Sequence, residues 1–137
     1  MRTQVLVGSC LCRAVTYSIA TELQNFYFCH CKQCRKLTGS AFAANIQAVP
    51  AAVSWLSGAE YVRRFDLPGE RQFTKVFCLS GGSGLPFLNK TREKLFIPAG
   101  SLDSTPSLEP RHNIFWQDRA EWYELGVAAP RTIAFSD

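Results

Sequence analysis

The sequence has no stretch of about 20 apolar residues, which is the length a membrane-spanning helix needs. It also has no internal repeat, no low-complexity tract and no segment with the composition of an interdomain linker. Only 19% of its residues are charged and 47% are apolar, a balance that excludes intrinsic disorder and provides a core. The 137 residues are therefore predicted to form one domain, 1–137, with a core over about 8–125 and a loose tail over 126–137.

Blocks of like charge are absent as well. The net charge of +4 and the isoelectric point of about 8.8 are only mildly basic. The sequence has no long basic stripe and no alternation of basic and aromatic residues of the kind that binds nucleic acid. Neither a nucleic acid nor a membrane is expected as a partner, and the sequence does not indicate an oligomeric state.

Six cysteines are the most informative feature of the composition. An even number in a short chain is typical of a disulfide framework, but such a framework needs an export route. Residues 7–10 (VGSC) resemble a lipoprotein cleavage box, yet only about four apolar or neutral residues precede them, fewer than the roughly 7–15 of an export signal. The protein is therefore predicted to be cytoplasmic, with reduced thiols whose clustering indicates metal binding or catalysis.

Short alternating segments predict a mostly β fold. One short helix is predicted over 31–37, with Gly39 as the residue that ends it. The chain after Leu125 is predicted to be the loose tail. The predicted strands cover residues 14–19, 25–28, 41–49, 60–65, 72–77, 94–97 and 113–116.

The densest cysteine cluster is the run CHCKQC at residues 29–34. Thiolates suit the tetrahedral coordination of zinc, and a C-x-x-C that turns into a helix directs Cys31 and Cys34 at one ion. Cys29, at the end of a strand, reaches the same ion from the other side. Three ligands leave one position open, which is typical of a catalytic zinc. A redox C-x-x-C pair or inert buried thiols are the alternatives, but three thiols within six residues exceed what a dithiol motif needs.

His30 lies between two of these cysteines. Strand alternation points its side chain away from them, so it is predicted to lie behind the ligands or on the surface and not to bind the metal.

The second group consists of Cys10, Cys12 and Cys78. Alternation along a strand places Cys10 and Cys12 on one face, where they are natural partners for one ion. Cys78 ends a predicted strand just before a glycine-rich turn. A cysteine at position 81 would complete a four-thiolate site, but Gly81 stands there. On the residues alone, buried core cysteines and a metal site remain equally good interpretations.

Five segments together resemble the family of glutathione-dependent formaldehyde-activating enzymes, which includes centromere protein V. The resemblance covers roughly residues 8–125. The combination of C-x-C with C-H-C-x-x-C is a much more specific signal than a lone C-x-x-C. The segments are GSCLC at 8–12, CHCxxCRxxTG at 29–39, FC at 77–78, HNIF at 112–115 and EWYE at 121–124.

The resemblance implies a β-tent fold of packed antiparallel sheets, two zinc sites and carbon–sulfur lyase chemistry, in which glutathione and formaldehyde combine to S-hydroxymethylglutathione. It implies a catalytic zinc held by one cysteine triad, with the substrate thiol in the open position, and a structural zinc held by the other. The fourth structural ligand of the family falls on Gly81, so the structural site is predicted to be weak or vacant. The catalytic triad is Cys29, Cys31 and Cys34, and the structural triad is Cys10, Cys12 and Cys78.

Lys32, Arg35 and Lys36 lie beside the catalytic triad in the sequence and are candidates for offsetting thiolate charge or binding substrate carboxylates. A solvated basic helix face is an equally good interpretation of these three residues. Thr38 and Ser40 are candidates for the pocket wall, although capping and turn roles explain them as well. The aromatic residues are predicted to be core, with Trp55 partly exposed, and none is assigned a function.

The favoured function is a zinc-dependent carbon–sulfur lyase that adds glutathione or another small thiol to formaldehyde or a related aldehyde. The alternative is a non-catalytic zinc-stabilised interaction module of the centromere protein V type. A zinc-ribbon nucleic-acid binder is disfavoured because the cysteines are not spaced as paired C-x-x-C motifs. An exchangeable fourth ligand at the first triad would separate an enzyme from a closed structural module.

Overall fold

Eleven short strands and two short helices make up the computed structural model, which describes residues 2–71 and 73–135. This confirms the mostly β fold. Short 3-10 turns lie at Ala59–Tyr61, Ala99–Ser101 and Trp116–Asp118. The helices are α1 (Lys32–Thr38) and α2 (Tyr123–Ala128), and neither is long enough to cross a membrane. The strands are β1 (Gln4–Ser9), β2 (Thr16–Thr21), β3 (Leu23–Cys29), β4 (Ala43–Ala48), β5 (Ser54–Ser57), β6 (Val62–Asp66), β7 (Thr74–Cys78), β8 (Gly84–Leu85), β9 (Phe87–Leu88), β10 (Leu95–Pro98) and β11 (His112–Ile114).

The strands form three sheets. Their orders are β1-β2-β5, β11-β3-β4-β10-β9 and β6-β7-β8. Every strand pair is antiparallel except β11 with β3, which run parallel. The packed antiparallel sheets implied by the family resemblance are therefore confirmed.

Alternation along the strands builds one core between the sheets. In β2 the side chains of Tyr17, Ile19 and Thr21 are buried while those between them are not. Ile46 of β4 and Ile97 of β10 are fully buried on the inner face of the five-stranded sheet. Burying each such aliphatic side chain contributes about 1.5–3 kcal/mol to stability. Cys10 and Cys78 belong to the same core cluster.

A side chain at position 8 would not fit where β1 pairs with β2, so glycine is needed there. Gly8 pairs with Tyr17, and a Cβ atom at position 8 would overlap the Tyr17 phenol. The Tyr17 hydroxyl forms a 2.7 Å hydrogen bond with Ser101 Oγ, and burial raises the pKa of this phenol to about 12. The glycine of the GSC run therefore lets Tyr17 lie under the end of β1, just before the Cys10 turn.

Several predicted boundaries shift for local reasons. The strand predicted over 60–65 begins at Val62, because residues 59–61 form a 3-10 turn. The strand predicted over 113–116 ends at Ile114, because Phe115 adopts a left-handed conformation with φ of 55°. The strand predicted over 72–77 is observed from Thr74, and Gln72 lies outside the described residues.

Five helices and strands were absent from the prediction: β1, β5, β8, β9 and α2. Helix α2 continues to Ala128, so the loose tail predicted after Leu125 is wrong for residues 126–128. Residues 129–135 are exposed and lie outside regular helices and strands.

Candidate functional site

Cys29, Cys31 and Cys34 come together where β3 meets α1. Cys29 is the last residue of β3, Cys31 is the N-cap of α1 and Cys34 lies in its first turn. The three sulfur atoms all lie within 4.8 Å of one another, and all three residues are buried. The backbone N–H of Cys34 donates a hydrogen bond to Cys31 Sγ at 3.3 Å, so the helix N-terminus is directed at the cluster. The sequence prediction that these cysteines form one cluster agrees with this geometry.

Capping explains why the helix is so short. Cys31 is extended, with φ of −65° and ψ of 156°, which begins the helix. Gly39 ends it in a left-handed conformation with φ of 66°, and its N–H donates to the Arg35 carbonyl at 2.9 Å. The predicted helix is confirmed, with each end one residue later than predicted, and Gly39 ends it as predicted.

The thiols of this triad share protons unequally. A hydrogen bond from the Cys34 thiol lowers the pKa of Cys29 to about 6, against an opposing effect of burial. The same hydrogen bond, together with burial, raises the pKa of Cys34 far above its ordinary value. The shared hydrogen bond therefore favours deprotonation of Cys29 over that of Cys34.

A cavity of about 310 Å³ opens beside this triad. The three cysteines form part of its wall, and most of the rest comes from the five-stranded sheet, β7, β8 and the end of α1. A larger, more open cleft of about 550 Å³ lies around Trp55 and Arg64, but it has no cysteine in its wall. The polar and charged residues lining the smaller cavity, besides the cysteines, are Tyr27, Thr38, Asn45, Arg71, Thr74, Lys75 and Asn89.

Cys10, Cys12 and Cys78 form a second triad. The Sγ–Sγ distance is 3.3 Å from Cys10 to Cys12 and 3.7 Å from Cys12 to Cys78. Cys10 and Cys12 do not lie on a strand as expected; they follow β1 in a turn closed by a hydrogen bond from Arg13 N–H to the Cys10 carbonyl. The turn brings their sulfurs together, where the prediction relied on strand alternation.

The three cysteines of the second triad differ in exposure. Cys10 and Cys78 are buried, whereas Cys12 is exposed. Burial raises the pKa of Cys10, while a hydrogen bond from the Ala14 N–H and another from Cys10 lower the pKa of Cys12 to about 7. The exposed thiol is therefore the more acidic one.

Position 81 faces this second triad. A Cβ atom on Gly81 would lie 3.2 Å from Cys12 Sγ, and Gly81 does not have a positive φ. The left-handed residue of this turn is the next one, Gly82, with φ of 81°. The backbone at position 81 therefore permits a side chain directed at the cysteines, provided that Cys12 shifts by a few tenths of an ångström to admit its Cβ atom.

Both triads have the donor set and spacing that a soft metal ion requires. Zinc–sulfur bonds of about 2.3 Å in a tetrahedron separate the sulfurs by roughly 3.8 Å. The sulfurs of each triad lie within 4.8 Å of one another, so small movements bring them to that spacing. The described residues thus contain two cysteine triads that could hold a metal ion, as predicted for the first triad, whereas the second was predicted to be weak or vacant.

The family model for glutathione-dependent formaldehyde-activating enzymes matches residues 5–118. The chain belongs to this family. A solved Rhodobacter sphaeroides protein from the Northeast Structural Genomics effort has the same fold, with a TM-score of 0.58 and 23% sequence identity. That likeness covers 79% of this chain and 99% of the other. No curated protein sequence matches this member of the family.

His30 is completely buried in this family member, so a surface position is wrong. Its side chain turns away from the cysteines, as predicted, and its Nε2 lies 2.9 Å from Asn113 Oδ1. The imidazole ring contacts the aromatic rings of Phe42, Trp116 and Tyr123. It therefore ties the loop after β3 to β11 and α2 behind the triad.

The basic residues of α1 lie away from the cavity wall. Lys32 and Lys36 are exposed, and Arg35 donates a hydrogen bond to the Asp118 carbonyl at 3.1 Å. Their predicted roles toward thiolate charge or substrate carboxylates stay predictions. Thr38 does line the cavity, and its hydroxyl donates to the Cys34 carbonyl at 2.8 Å, whereas exposed Ser40 does not line it.

Some aromatic residues depart from the predicted core. Phe96 lines the cavity, and Trp122 is 55% exposed, while Trp55 is half-buried as predicted. Sequence reasoning also missed Tyr27 and Lys75 in the cavity wall. A lysine within an otherwise apolar strand was the available signal for the second of these.

Proposed function

We propose that this protein is a zinc-dependent enzyme of the carbon–sulfur lyase class that adds glutathione, or a related small thiol, to formaldehyde or a similar small aldehyde. The observation that carries the proposal is the cavity beside one cysteine triad. Cys29, Cys31 and Cys34 contribute to its wall, whereas none of the described cysteines of the second triad does. The family description supports glutathione and formaldehyde as the reactants.

In this proposal Cys29, Cys31 and Cys34 hold the catalytic zinc. The ion, when bound, supplies an open position at which a thiol is kept as its thiolate at neutral pH. The burial of all three cysteines keeps competing water away from that side of the site. Cys10, Cys12 and Cys78 hold a structural zinc weakly or not at all, because Gly81 provides no fourth sulfur.

The addition itself requires little from the protein beyond positioning the two reactants and polarising the aldehyde carbonyl. The thiol sulfur forms a bond to the aldehyde carbon, the π electrons of the carbonyl move to its oxygen, and the proton lost by the thiol ends on that oxygen. The reverse reaction breaks the same carbon–sulfur bond. Holding the two reactants together converts a bimolecular step into an effectively unimolecular one.

Tyr27 is suited to stabilise the oxygen on which negative charge develops. It packs against the cysteine triad and lines the cavity. Burial, with a smaller effect from the neighbouring cysteines led by Cys29, raises the pKa of this phenol to about 12. Its hydroxyl therefore stays protonated and is available as a hydrogen-bond donor to an aldehyde oxygen.

The alternative, a zinc-stabilised interaction module, does not require a cavity at one triad. Its metal site would be closed by a fourth ligand, and the described residues place no fourth sulfur, imidazole or carboxylate with Cys29, Cys31 and Cys34. The open side of this triad therefore supports the enzyme. A cytoplasmic location stays a prediction.

Exchange NMR tests the proposed activity. Glutathione and formaldehyde form the hemithioacetal without a catalyst, and zinc-loaded protein is expected to accelerate its formation and breakdown equally. Cys34→Ser should abolish the acceleration, while Lys94→Gln, which changes an exposed lysine outside the cavity, should retain it. The proposed activity is wrong if zinc-loaded wild-type protein leaves both rates unchanged.

A further inference from the structure

A lysine without an acidic partner lies in the wall of the cavity described above. On β7, Thr74, Val76 and Cys78 are buried, and alternation directs Lys75 to the other face of the strand. Lys75 is half-buried and lines the cavity. Burial of this kind is costly for a charged amine unless an anion compensates it.

The position of the amine is fixed by its neighbours. Gly84 of β8 pairs with Phe77 and therefore lies on the same face as Lys75. A Cβ atom on Gly84 would be 3.1 Å from Lys75 Nζ and 3.8 Å from Pro98 Cγ. The lysine thus passes over the bare backbone of Gly84 and carries its amine to the side of the cavity formed by Pro98.

No negative charge in the described structure meets this amine. The ion pairs among the described residues are Arg64 with Asp66 and Arg119 with Glu124, and neither includes Lys75. No aspartate or glutamate is among the described residues that line the cavity. The pKa of Lys75 is lowered by burial alone, with no opposing effect from an anion.

Strand register separates the Pro98 side of the cavity, toward which the Lys75 side chain extends, from the cysteine triad. Pro98 pairs with Asn45, which pairs with Tyr27, while Cys29 pairs with Ala43 one pleat further along. With strands about 4.8 Å apart and residues about 3.3 Å apart along a strand, Pro98 and Cys29 are separated by roughly 12 Å between Cα atoms. The cavity therefore presents sulfur ligands on the Cys29 side and the Lys75 amine on the Pro98 side, with Arg71 as a further cation in its wall.

We propose that Lys75 is a specificity-determining residue that selects thiols carrying a carboxylate several bonds away from the sulfur. This inference rests on the proposed function, since it assumes that the thiol sulfur binds at the Cys29, Cys31 and Cys34 end. The carboxylate then pairs with the Lys75 amine in a partly desolvated setting, where a charge-assisted hydrogen bond is stronger than in water. Short mercapto acids do not span both ends.

Calorimetric titration of zinc-loaded protein with glutathione and with glutathione diethyl ester tests the proposal. Wild-type protein should bind glutathione about tenfold or more tightly than the ester, because a hydrogen bond to a charged group contributes that much. Lys75→Gln should remove this preference by weakening glutathione binding while leaving ester binding unchanged. Lys75→Arg should restore most of the preference, and Lys94→Gln, at an exposed position outside the cavity, should retain all of it.

Two results would overturn the proposal. Equal binding of glutathione and its ester by wild-type protein would show that no carboxylate is recognised. This comparison uses wild-type protein alone, so it does not require a variant to fold. An equal loss of both affinities in Lys75→Gln would show that the lysine only offsets thiolate charge. If the Lys75 preference holds but the exchange NMR experiment shows no acceleration, the selectivity stands and the proposed reaction fails.

Discussion

A Cβ atom on Gly81 would lie 3.2 Å from the Sγ atom of Cys12. The turn after β7 therefore brings position 81 to the second cysteine triad, in a backbone conformation that other residues adopt. Structural zinc sites are nearly always four-coordinate, and three thiolates leave one position to water. The residues agree with a three-thiolate site at which position 81 lies where a fourth ligand would be needed.

Gly81→Cys is expected to turn this triad into a closed zinc site. The wild-type protein should retain nearer one zinc ion than two after dialysis against a moderate chelator, and the variant should retain nearer two. Because metal binding adds to folding free energy, the variant should also melt at a higher temperature. Metal analysis and thermal unfolding of the same samples measure both effects, and Gly81→Ser is the matched control. Full retention of two ions by wild-type protein would contradict the account of Gly81.

Cys34→Ser and Cys10→Ser should affect the protein differently. A hydroxyl is a far poorer ligand for a soft metal than a thiolate, so either change weakens its own site. Cys10 belongs to the main core and accepts a hydrogen bond from the Val15 N–H at 3.2 Å, so its replacement should mainly lower stability, by about 1–3 kcal/mol. Cys34→Ser should instead abolish the thiol–aldehyde reaction with most of the fold intact.

Urea unfolding and exchange NMR on the two variants check this division. If Cys34→Ser unfolds the protein while Cys10→Ser leaves its stability unchanged, the assignment of the two triads is inverted.

Tyr17 should contribute to a decline of stability in alkali. Its folded-state pKa of about 12 exceeds the ordinary value of 10.0, so the unfolded chain loses the phenolic proton first. The contribution is fully present below pH about 10 and is lost as pH rises toward 12, an effect of order 2 kcal/mol. Tyr17→Phe should therefore flatten the decline between these pH values, as measured by urea unfolding. Parallel curves for wild type and variant would contradict this origin.

The sequence predicted the local features of the fold well. Alternation identified the strand that carries Tyr17, and Cys31 with Gly39 marked the helix, because these signals lie within a few consecutive residues. Close cysteine spacing likewise predicted the first triad. The four-residue strand β5 and the exposed helix α2 lack a strong apolar pattern and were missed.

The cavity could not be predicted, because its wall combines residues from strands whose pairing only the folded chain defines. Lys75 enters it through the register of β7 against β8, and Tyr27 through the register of β3 against β4. The burial of His30 depends on aromatic residues more than 80 positions away, such as Trp116. Sequence spacing contains no information on such contacts.

The central claim is that Cys29, Cys31 and Cys34 hold a metal ion with one position open to a substrate thiol. Absorption spectroscopy of the cobalt-substituted protein tests it most directly, because thiolate-to-cobalt charge transfer reports each sulfur ligand. Titration with glutathione should increase this absorption up to one equivalent in wild-type protein and in Cys12→Ser, and should have no such effect in Cys34→Ser. A spectrum that glutathione leaves unchanged in wild-type protein would show that the site is closed or absent and would contradict the account.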